Sequence, residues 1–102
     1  MLDAAYDFEW DARKASSNLK KHGVSFERAS TVLLDRLALT VYDDEHSQFE
    51  ERWITLGHSS DGELLVMAHT VTLVSPTITR IRIISARPAT KQERRFYADE
   101  PR

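Results

Sequence analysis

Along the first third of the chain the apolar positions change period twice. Tyr6, Phe8 and Trp10 alternate with Asp7 and Glu9, the period of a half-buried strand over residues 6–10. The period then lengthens. Asp11 is placed to cap a helix over residues 12–22, whose thin apolar stripe is Ala12, Ala15, Leu19 and His22. Gly23 supplies the left-handed residue that ends it. Ser25 caps a second helix over 26–34, with Phe26, Ala29 and Leu33 facing inward. Two helices joined only by Gly23-Val24 form a tight helical hairpin.

From residue 37 the pattern returns to period two. Strands are expected over 37–42, 52–58, 64–73 and 77–86, with polar turns at 43–47 and at Ser59-Ser60-Asp61-Gly62. Pro88 stops the last strand, and Thr90-x-x-Glu93 is a capping box that starts a short C-terminal helix. That helix has little apolar surface before Phe96 and Tyr97. The order β-α-α-β-β-β-β-α with short connections predicts an α+β fold: one domain over 1–102, a small antiparallel meander with helices on one face. A last hairpin turning at Ser75-Pro76 places His69 opposite Arg82 and Met67 opposite Ile84, with His69 and Arg82 on one face.

Composition narrows the chemistry. A chain of 102 residues holds one modest core. It has no cysteine, which excludes disulfides, thiolate metal sites and thiol catalysis, and fits a reducing cytoplasm. No apolar run is long enough to span a membrane, and Met1-Leu2-Asp3-Ala4 lacks the basic-then-apolar layout of a signal peptide. The net charge of −2 hides an asymmetry. Residues 1–51 carry six Lys/Arg against eleven Asp/Glu, and residues 52–102 eight against five. Six of the cations fall between Arg80 and Tyr97, with Glu93 the one acid among them. A strand and helix so charged offer a surface to an anion, while the acidic part suits a basic partner.

Three motifs in order carry a family resemblance over nearly the whole chain. The first is Phe8-Glu9-Trp10-Asp11 with Lys14, Asn18 and Lys21-His22-Gly23-Val24-Ser25-Phe26. The second is Glu50-Glu51-Arg52-Trp53-Ile54-Thr55-Leu56-Gly57. The third runs from Ile81-Arg82-Ile83-Ile84-Ser85-Ala86-Arg87-Pro88-Ala89-Thr90 to Glu93-Arg94 and Tyr97. In these the chain resembles the BrnT toxins of type II toxin–antitoxin systems. The resemblance implies a RelE-like fold and RNA cleavage without metal or cofactor that arrests translation. It also implies a BrnA-like ribbon-helix-helix antitoxin as partner, and contact with operator DNA only through that antitoxin. The chain departs from the family in the apolar stretch 71–74, where a short polar turn is usual.

Cleavage of this kind needs a base for the 2′-hydroxyl, cations for the phosphorane and an acid for the leaving oxygen. Arg82 and Arg87 are the first choices for phosphate, because a guanidinium bonds it in two places and keeps its charge. Arg52, Arg80, Arg94, Lys14 and Lys21 are further candidates for the RNA backbone. His69 is the expected titrating residue and Tyr97 a hydroxyl donor. Glu93 is explained by its capping box, Trp10 and Trp53 by the core, and Asp43-Asp44-Glu45-His46 by a polar turn rather than a metal site. The competing reading is a non-catalytic co-repressor, since no histidine has an orienting carboxylate evident in sequence.

Overall fold

A computed structural model describes residues 5–101. Residues 1–4, on which the expectation of no signal peptide rests, lie outside the described residues. The chain forms β1 (Ala5–Glu9), α1 (Ala12–His22), α2 (Phe26–Ser30), β2 (Leu39–Tyr42), β3 (Trp53–His58), β4 (Leu64–His69), β5 (Thr72–Ser75), β6 (Ile78–Pro88) and α3 (Lys91–Asp99). Single 3-10 turns cover Thr31–Leu34 and Asp44–His46. Among the described residues no helix is long and apolar enough to cross a membrane.

The α+β class and the three helices are as the sequence predicts. The caps explain why. Asp11 accepts from the Lys14 amide, Ser25 from the Arg28 amide, and Thr90 and Glu93 close their capping box. Gly23 ends α1 at φ 70°, its N–H on the Leu19 carbonyl at 2.9 Å. The second helix tightens after Ser30. At three residues per turn its inward positions become Phe26, Ala29 and Val32, so Val32 is buried in place of Leu33. The stripe of α1 also differs. Leu19 is half exposed, and the buried residue of the helix is Asn18. Its amide donates to the carbonyls of Val24 and Ala86, and its oxygen accepts from the Ala86 N–H at 3.0 Å.

The sheet has six strands in the order β1-β6-β4-β3-β2, with β5 beside β6. It is mostly antiparallel, but β1 pairs parallel with the first half of β6. This corrects the meander: a strand reached only after two helices and five strands closes against the N-terminus. The strand expected over 64–73 breaks at Thr70 and Val71 into β4 and β5. The hairpin turns at Pro76-Thr77, where proline fits the first corner of a turn. With a bulge between Ala68 and His69, the register becomes Met67 opposite Ala86 and His69 opposite Ile83. The expected pairing of His69 with Arg82 does not form. Arg82 alternates with buried Ile81 and Ile83, so His69 and Arg82 project from opposite faces.

Alternate residues of β4 feed two cores. Leu65 and Met67 pack with Val24, Phe26, Ala29, Val32, Ile81, Ile83 and Ala86 beneath α1 and α2. Leu64 and Val66 pack with Leu56, Ala89 and Tyr97 beneath α3. The helices therefore cover both faces, not one. Gly57 admits the closest approach of the first layer. A Cβ there would stand 3.1 Å from the Val32 carbonyl and from Ala38 Cβ. The second layer is short, and α3 leaves half of that face open.

Candidate functional site

The open half of the second face holds a cavity of about 270 Å³. Ile54, Val66, Ala68 and Ile84 line it, and Arg52, Arg87 and His46 bring polar atoms to it. Three strands deliver these side chains: Arg52 immediately precedes β3, Arg87 comes from β6, and β4 lies between; Arg82, also on β6, borders a separate cavity beside Glu50. The turn carrying His46 is pinned to β3. The Asp43 N–H meets the Arg52 carbonyl at 2.8 Å, and the Arg52 N–H meets Ser47 Oγ at 3.0 Å.

His46 has the orienting carboxylate that the sequence did not reveal. Its Nδ1 lies 2.9 Å from Asp43 Oδ2, and its ring is well exposed. A proton on Nδ1 is held by Asp43, which leaves Nε2 as the basic nitrogen facing solvent. The signal was Asp43-x-x-His46, a pair that one tight turn brings together.

The candidate guanidiniums on the strands, Arg52, Arg80, Arg82 and Arg87, are all paired. Arg87 makes a fork with Glu93, at 2.8 and 2.9 Å, and Arg82 bonds Glu50. Arg52 reaches the same Glu50 at 3.4 Å. Arg80 lies on Asp7 at 3.0 Å and near Glu9 at 3.9 Å. Arg94 projects from α3 into solvent, and Lys14 and Lys21 from α1 on the other side of the sheet. Among the described residues none of these three side chains makes an ion pair.

His69 and Tyr97 are placed differently from the open face. His69 is 1% exposed beneath the first helical layer. Its Nδ1 donates to the Thr70 carbonyl at 3.1 Å, and its Nε2 accepts from Thr55 Oγ1 at 2.7 Å. Burial pushes its pKa down, only partly offset by the Thr70 bond, so the ring stays neutral. Tyr97 is the buried residue of α3. Its hydroxyl donates to Asp35 Oδ2 at 2.5 Å and lies 3.2 Å from His58 Nδ1. Burial works to raise the Asp35 pKa. Bonds from the His58 N–H, the Tyr97 hydroxyl and the Leu37 N–H overcome it, and the carboxyl sits below its usual range. Neither Asp35 nor His58 stands out in sequence, because residues 35, 58 and 97 meet only through the fold. Among the described residues no three His, Asp or Glu side chains converge as a metal site.

A family model described as "Ribonuclease toxin, BrnT, of type II toxin-antitoxin system" matches residues 10–93. The chain belongs to the BrnT family. The match takes in the helical hairpin, the sheet from β2 to β6 and the start of α3. Among solved structures, the chain is similar to the Brucella abortus ribonuclease toxin BrnT, with a TM-score of 0.57 and 17% identity over 89% of this chain and 100% of that one. At that identity the likeness speaks for the fold. No curated protein matches the sequence.

The BrnT-like β6-to-α3 corner has a testable pH dependence. Arg87 beside it holds the Glu93 carboxyl at a pKa of about 2, against an ordinary 4.5, with burial opposing and the Thr90 N–H assisting. A depressed folded pKa contributes stability above about pH 4.5 that is lost as the pH falls toward 2. Glutamine still serves a capping box but carries no charge. Glu93→Gln should therefore melt lower than wild type at pH 6 by the equivalent of about 1 kcal/mol, given the partial exposure of the pair. The two melting curves should converge as the pH approaches 2. A gap that does not change with pH would remove the ion pair from the account.

Proposed function

We propose that the chain is an endoribonuclease toxin that cleaves RNA without a metal ion, with the RNA lying across the open face of the sheet. The observation that carries this reading is the cavity where Arg52, Arg87 and the Asp43-oriented His46 meet. Arg52, Arg82 and Arg87 on that face supply the positive charge that phosphorane formation demands. His46 Nε2 takes the 2′-hydroxyl proton as the 2′-oxygen attacks phosphorus, and Asp43 stabilises the imidazolium that results; the P–O5′ bond breaks, the leaving 5′-oxygen takes a proton from water, and a 2′,3′-cyclic phosphate remains. Arg80 and Arg94 extend the contact with the RNA backbone, whereas Lys14 and Lys21, on α1 at the other side of the sheet, lie off this path. His69 and Tyr97, the residues first chosen for proton transfer, act in this reading through packing: His69 has both ring nitrogens engaged, and Tyr97 anchors α3. The toxin works in the cytoplasm, arrests translation and is neutralised by a BrnA-like ribbon-helix-helix antitoxin, which alone touches operator DNA.

Purified protein incubated with RNA in EDTA tests the reading. Cleavage is expected in wild type. His46→Gln should lower it a hundredfold or more with the fold intact, whereas His69→Gln should lower thermal stability more than specific activity. Cleavage by His46→Gln at the wild-type rate would move the base elsewhere. The pairing of every guanidinium on the face favours the alternative, a co-repressor that binds without cutting. No cleavage by well-folded wild-type protein would select it.

A further inference from the structure

Glu50 stands where two guanidiniums converge. One oxygen takes the bond from Arg82 and the other faces Arg52. Arg82 above all, then Arg52, hold its carboxyl below the usual range against the opposing effect of burial. The arrangement is incomplete. Arg52 Nε is buried and has no hydrogen-bond partner among the described residues. The two Glu50 oxygens meet terminal nitrogens of Arg82 and Arg52, and neither bonds Nε. A phosphodiester offers its oxygens tetrahedrally, so one can face Arg82 while others meet the Arg52 edge that carries Nε.

The segment bearing Glu50 is free to yield. Between Ser47 and Arg52, which are bonded to each other, no side chain is buried, and Phe49 is 99% exposed. Swinging Glu50 aside forfeits no core packing. It breaks ion pairs whose side chains are roughly a third exposed, and such pairs contribute little.

We propose that Arg52 and Arg82 form a phosphate subsite that Glu50 occupies in the free protein, and that RNA engages by exchanging a backbone phosphate for this carboxylate. The toxin is thus partly self-masked. The inference rests on the RNA reading above and names how that site is regulated. Its sign is opposite to that of a brace. If Glu50 only positions the arginines, removing its charge weakens binding; if it holds the place of phosphate, removal strengthens it.

The probe is a fluorescent single-stranded 2′-O-methyl RNA, which binds without being cleaved, followed by anisotropy with wild type, Glu50→Gln, Glu50→Ala and Glu51→Gln. Both Glu50 variants should bind about tenfold tighter at low salt, as expected when a charge competing at close range is removed. Their plots of log affinity against log salt should steepen by about 0.7, the effect of one further phosphate neutralised on a single strand. Glu51→Gln should change affinity much less. Unchanged or weaker binding by both Glu50 variants overturns the proposal, as does an equal gain in Glu51→Gln, which would make it bulk charge. Wild type that neither binds this probe nor cleaves RNA overturns the function itself.

Discussion

Replacing Arg82 and Arg87 together by alanine should lower RNA cleavage at least a hundredfold under single-turnover conditions. Both side chains leave β6 on the face that α3 leaves open, five residues apart along the strand, so they can meet one RNA strand at successive phosphates. Charge builds on the phosphorane only during reaction, and removing a donor aimed at it typically costs about 2–4 kcal/mol of barrier. Two such losses on one site need not add, and a hundredfold is the smaller expectation. The Arg87 guanidinium never deprotonates at working pH; Glu93 beside it raises its already high pKa further, against the effect of burial. Stability should fall by about 1 kcal/mol from the lost pair with Glu93, too little to unfold the protein. Circular dichroism separates the two effects. Induced expression of the wild type should stop growth, and the double variant should not. A folded double variant that cleaves at the wild-type rate removes both arginines from the mechanism.

Asn18→Leu should destabilise the fold by about 3 kcal/mol or more and lower its melting temperature by roughly 12 °C or more. Asn18 makes three hydrogen bonds inside the first core layer and is 6% exposed. Leucine fills the space but leaves two carbonyls and one N–H buried without a partner, at about 1–3 kcal/mol each. This loss is large because the bonds join three elements: α1, the turn before α2 and β6. Urea unfolding followed by tryptophan fluorescence measures it, since Trp10 packs edge-on against Phe26 in the same layer. A midpoint shift below the equivalent of 1 kcal/mol would mean that water replaces the lost bonds.

Local rules were legible in the sequence and long-range ones were not. The boundaries of α1, the αL residue Gly23 and the capping box at Thr90 follow from side chains within four positions of one another, and the structure places each where the pattern does. The burial of Asn18 was invisible, because its partner Ala86 lies 68 residues away. The parallel pairing of β1 with β6 was hidden for the same reason. Face assignment in the last hairpin turned on a single bulge. One extra residue on β6, Ile84, lies between the partners of Ala68 and His69 and carries the histidine away from the expected arginine. The basic strand was evident, but its acidic partners were not. Glu50 and Glu93 meet Arg82 and Arg87 only after folding, so a surface that reads as bare cation in sequence is neutralised in the free protein.

The parallel seam between β1 and β6 also sets a clock. Ala5 to Glu9 find their neighbours at Ile78 to Arg82, and Asn18 finds Ala86. During synthesis the helical hairpin and the first strand emerge early and wait, with nothing to lie against, until the last quarter of the chain has been made. The same last quarter carries Arg82 and Arg87. A growing or prematurely ended chain thus lacks both the seam that closes the fold and the arginines placed on its open face, and neither is complete until translation is nearly finished.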